Sequence, residues 1–71
     1  MGYDYRKLLG KITEVYGTRS RFSVAMGMSE RTLSLKMNAK IGFKQQEITK
    51  ACELLDIEIS DIPIYFFTQK V

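Results

Sequence analysis

Residues 18–38 read TRSRFSVAMGMSERTLSLKMN, and this stretch decides the fold. Phe22, Ala25 and Met26 form an apolar i, i+3, i+4 set, the spacing of one helix face. Gly27 follows where a sharp turn needs positive φ, which glycine adopts without the steric cost of a Cβ. Ser29 is a good N-cap for a second helix whose inward positions are Leu33 and Met37, and Thr18 holds the same capping place before the first. The stretch therefore predicts two short helices joined by a tight turn, a helix-turn-helix over about 18–38.

In that motif the first helix braces the second, and the second presents its outer face to the major groove of DNA. The ten residues Ser29 to Asn38 make a rod about 15 Å long, which a groove about 12 Å wide admits. Spacing alone does not separate this from an ordinary corner between two helices, but charge does. From Thr18 to Lys44 the cations Arg19, Arg21, Arg31, Lys36, Lys40 and Lys44 face Glu30 alone, a net +5 where the whole chain carries +3. The basic excess sits on the proposed reading element, as a phosphate-facing surface requires.

The 71 residues leave room for a single domain, 1–71, with a marginal core. Hydrophobic residues at 45% and charged residues at 27% are globular values and argue against disorder. Cys52 is the one cysteine and histidine is absent, so neither a disulfide, a zinc site nor a Cys-His nucleophile is expected. A lone thiol on a helix reads as a small buried hydrophobe in a reducing, cytoplasmic setting. No apolar run is long enough to span a bilayer, and MGYDYRKLLG has neither the hydrophobic segment nor the cleavage site of a signal peptide.

On either side of the central stretch the periodicity predicts further helices. Tyr5, Leu8, Leu9, Ile12, Val15 and Tyr16 describe a first helix over about 4–16, with Asp4 as its cap and Gly17 as its end. Asn38 to Lys44 reads as a loop from which Phe43 and Ile41 turn back to the core. Ile48, Ala51, Cys52 and Leu55 line a fourth helix over about 45–55. Ser60, Asp61 and Pro63 start a short fifth helix over about 60–67, although the alternation from Ile57 to Ser60 also fits a strand. Ile62, Ile64, Tyr65, Phe66 and Phe67 are too apolar all to face water, so some seal the core and any remainder offers a partner surface. The fold class is all-α, a compact bundle of about five short helices.

With these residues in view, the chain resembles the Cro and CI-repressor class of helix-turn-helix domains of temperate bacteriophages. GTRSRFSVAMGMSERTLSLKMNAK carries the resemblance. The short helix leading into IYFF also resembles small regulators of the lysis-lysogeny switch, including the modulator-of-repression (antirepressor) family of lactococcal phages. The resemblance implies a lambda-repressor-like fold. It makes Glu30, Arg31, Ser34 and Leu35 base-facing, and Thr18, Arg19, Ser29, Lys36, Asn38 and Lys40 the phosphate contacts. Two departures stand out: Ser23 replaces a small residue often seen as Ala, and Lys36 replaces a residue that is often apolar.

Arg31 is the best candidate base reader, because its planar fork can pair with guanine N7 and O6. The expected function is phage transcriptional regulation through operator DNA, by two copies on a twofold site in the bacterial cytoplasm. The alternative is an antirepressor that binds a partner phage repressor in a heterocomplex. It would use the apolar positions Val24, Met28 and Leu35, with Tyr65, Phe66 and Phe67 as further partner-binding candidates. No catalytic constellation, cofactor, metal or small-molecule ligand is expected, so the chain does not read as an enzyme.

Overall fold

The computed structural model describes residues 2–70. Five α-helices follow one another: α1 (Arg6–Tyr16), α2 (Arg19–Met26), α3 (Glu30–Met37), α4 (Gln45–Leu55) and α5 (Ile62–Phe66), the last entered through a 3₁₀ turn at Ile59–Asp61. Among the described residues no strand forms. One isolated antiparallel bridge, Tyr3 to Gln69, joins the two chain ends. The alternation from Ile57 to Ser60 thus forms no strand: Ile57 is buried, Ile59 is exposed, and the 3₁₀ turn begins at Ile59.

Each helix buries one stripe. Leu8 and Ile12 of α1, Phe22 and Met26 of α2, Leu33 of α3, and Ala51, Cys52 and Leu55 of α4 meet Ile57 and Phe66 in one core. Leu9 and Val15 lie outside it, so the buried face of α1 is narrower than its run of apolar residues suggests. Phe43 packs between the rings of Tyr5 and Phe66, each with centroids 5.3 Å away. Ile41 stays exposed instead of joining it. Burial pushes the Cys52 thiol up from its ordinary range, as suits a packing residue.

Asp4 does not itself cap α1. Tyr5 is the N-cap, and the Asp4 carboxylate accepts the Arg6 backbone N–H at 2.9 Å. After α3 the left-handed residue is Ala39 at φ 59°, and Asp56 at φ 55° ends α4 in the same way. Asp tolerates this region through its short polar side chain. Ala39 is committed to it by the backbone bonds that its neighbour Lys40 and it return to Leu35 and Lys36.

Candidate interaction surface

The α2–turn–α3 unit is built from local hydrogen bonds. The Thr18 hydroxyl accepts the Arg21 N–H at 3.2 Å and the Ser29 hydroxyl accepts the Thr32 N–H at 3.0 Å, so both helices are capped. Between them Gly27 takes φ 75°, its N–H donating to Val24 O and the Met28 N–H to Ser23 O, each at 3.0 Å. This paired return is a Schellman motif, and it satisfies the last carbonyls of α2. Lys50 reaches across from α4 and donates to Met26 O at 3.3 Å, placing a cation on the negative end of α2. Ser23 is buried where the helices meet, and its hydroxyl donates back to Ser20 O at 2.6 Å.

The fate of the candidate contact residues divides sharply. Glu30, Arg31, Arg19 and Lys40 are exposed, and Ser34 and Leu35 are half-buried. Thr18 and Ser29 spend their hydroxyls on caps, and the Asn38 amide donates to Ser34 O at 2.9 Å, so these three side chains serve the helices first. Lys36 departs furthest from expectation. It is 4% exposed, with Nζ 2.9 Å from Glu47 Oε1, 3.0 Å from Gly42 O and 5.9 Å from the Phe43 ring centre. Leu33 and Lys36, at i and i+3, share the inward face of α3, so Lys36 is withdrawn from any phosphate.

Glu47 Oε1 also accepts the Lys44 N–H at 2.8 Å, joining the start of α4 to the end of α3 through one carboxylate. Burial works to raise the Glu47 carboxyl. The Lys36 ammonium and the Lys44 N–H outweigh it and hold the group below its ordinary value.

The apolar candidates separate too. Val24 is 78% exposed, whereas Met28 and Tyr65 are half-buried against the core. Phe66 is a core residue and not a partner contact, because its ring closes the bundle beside Phe43. Phe67, its neighbour, stays exposed.

A groove missed by the periodicity runs past the C-terminal end of α3. One part, about 450 Å³, is lined by Tyr3, Arg6, Leu9, Arg19, Asn38 and Lys70 among others. The next, about 290 Å³, is lined by Tyr3, Lys40, Ile41, Phe43 and Phe67 among others. Tyr3 belongs to both, so the parts adjoin. Arg6 holds Asp4 by its guanidinium at 2.7 Å and by its backbone N–H, which sets the Asp4 carboxyl at about 2, below its ordinary 3.8. The signal that could have found the groove is the excess of aromatics at the two ends, Tyr3, Tyr5, Phe66 and Phe67.

Fold and surface together define a small all-α domain organised on a basic two-helix unit. The chain belongs to the family described as "Protein of unknown function (DUF739)", whose model matches residues 1–69. It is similar to the modulator of repression (MOR) of the temperate bacteriophage TP901-1 from Lactococcus lactis, known as a solution structure. The two share 56% identity over 100% of this chain and 96% of that one, with a TM-score of 0.84. No curated protein sequence matches the chain. That solved relative is named as a modulator of repression, and the description of the family states no activity. No helix among the described residues is long and apolar enough to cross a membrane.

Proposed function

We propose that this chain is a phage modulator of repression: it binds a partner phage repressor in the bacterial cytoplasm and alters that repressor's hold on operator DNA. The observation that carries this reading is the full-length likeness to a modulator of repression at 56% identity. The geometry supports it in a second way. Lys36 is spent on Glu47, the Ser29 hydroxyl donates to the Thr32 hydroxyl, and Val24 of α2 is left bare. The loss of Lys36 as a phosphate donor and the exposure of Val24 both favour a protein partner.

A second reading rests on a different observation. Arg19, Arg21, Arg31, Lys40 and Lys44 remain exposed, and they suit operator binding through residues 29–38, with two copies on a twofold site. An operator mobility shift separates the two. The chain alone leaves the operator unshifted, while its addition to bound repressor changes the repressor's complex. Val24→Glu, which costs the fold little at so exposed a position, weakens the repressor complex by about tenfold or more. A shift by the chain alone that Arg31→Ala removes would transfer the function to direct DNA binding.

A further inference from the structure

The terminal groove lies at the end of α3 opposite the Gly27 turn. Its walls are prebuilt. Asp4 N–H donates to Thr68 O at 2.7 Å and Lys70 N–H to Gly2 O at 3.4 Å, which clips the two chain ends together. A Cβ added at Gly2 would come within 2.8 Å of the Ala39 Cβ, so glycine lets the N-terminal segment lie flush on the loop after α3. The rings of Tyr3 and Phe67 meet edge to face with centroids 5.5 Å apart.

The groove exposes apolar surface that the fold does not need to expose. Tyr3, Ile41 and Phe67 are 39%, 43% and 45% exposed around it. Its charged lining is one-sided: Arg6, Arg19, Lys40 and Lys70 stand against Asp4, and Asp4 is already paired with Arg6. Aromatic walls with a cationic rim complement a ligand that is apolar and negatively charged at once. A DNA duplex offers the charge but is a convex rod, whose phosphates gain nothing from burial against Tyr3 and Phe67.

We propose that this groove is a peptide-docking site, in which an extended acidic segment of a protein partner seats apolar side chains against Tyr3, Ile41 and Phe67 and sets its carboxylates on Lys40, Lys70 and Arg19. Val24 is not among the residues that line the site, and the proposal stands whether or not the repressor reading does. The probe is a capped seven-residue peptide alternating Glu with Ile and Phe, titrated into the isotope-labelled full chain and followed by amide and aromatic NMR shifts.

Saturable shifts centred on Tyr3, Ile41 and Phe67 are expected, with affinity falling about tenfold between low and high salt. Phe67→Ala and Lys70→Glu should each weaken binding at least about fivefold, and the spectra of these surface variants report directly that the fold is kept. Absence of saturable shifts overturns the proposal. So does equal binding of the peptide with Lys in place of Glu, or displacement of the bound peptide by a short DNA duplex.

Discussion

The α2–turn–α3 unit and the terminal groove are held together in opposite ways. The first is one continuous segment, closed by caps and turns whose partners lie within five residues of each other. The second is assembled from the N-terminal segment, the loop after α3 and the segment after α5, and among the described residues the backbone bridge of Tyr3 to Gln69 and the ring contact of Tyr3 with Phe67 join its two ends. A local unit keeps its shape as long as the core behind it stands. An assembly of chain ends opens earlier, because terminal segments unfold locally at little cost.

The largest effect that tests this contrast comes from the core both regions share. Leu33 is fully buried on α3, so Leu33→Ala should cost about 2–5 kcal/mol and melt both regions together in denaturant. Next comes the buried pair behind α3. Lys36→Met leaves Glu47, whose side chain is 22% exposed, without its ammonium partner. It should cost about 1–3 kcal/mol, below the range for a fully buried pair, and adding Glu47→Leu should recover much of the loss. If Lys36→Met instead left stability untouched and lowered the salt dependence of DNA binding, the lysine would be a phosphate contact after all.

Gly27→Ala should cost about 1 kcal/mol, because φ is 75° there and a Cβ meets nothing closer than the Lys50 Nζ at 3.8 Å. Its penalty is conformational, and the shifts of Tyr3 and Phe67 should stay in place while those around the turn move.

The smallest effect is acid titration, and it separates the regions by pH. Both Asp4 and Glu47 have carboxyls below their ordinary values in the fold. Their contributions are therefore complete above the ordinary values, 3.8 and 4.5, and fade as pH falls through the lowered ones. Resonances around Tyr3 and Arg6 should titrate with a midpoint of about 2, while those at the junction of α3 and α4 change below pH 4.5.

The same contrast explains what could be read from the amino acids alone. Thr18, Ser23, Gly27 and Ser29 were legible because each acts on backbone groups a few residues away; apolar spacing gave α1 and α4, while α5, expected over about 60–67 from Ser60, Asp61 and Pro63, spans Ile62–Phe66. Lys36 was not, because the carboxylate that draws it inward belongs to another helix. Nothing local distinguishes buried Phe66 from exposed Phe67, or buried Ile57 from exposed Ile59. Which neighbour faces inward depends on how α5 enters through its 3₁₀ turn. The groove was least legible of all, since Tyr3, Ile41 and Phe67 become neighbours only once the chain has closed on itself.

The most direct measurement is an operator titration by fluorescence anisotropy, with the phage repressor alone, this chain alone, and the two combined. A modulator of repression gives no anisotropy change by itself and shifts the repressor's binding curve in a manner that saturates with the chain's concentration. Saturable operator binding by the chain alone, together with a repressor curve that does not move, would contradict the account.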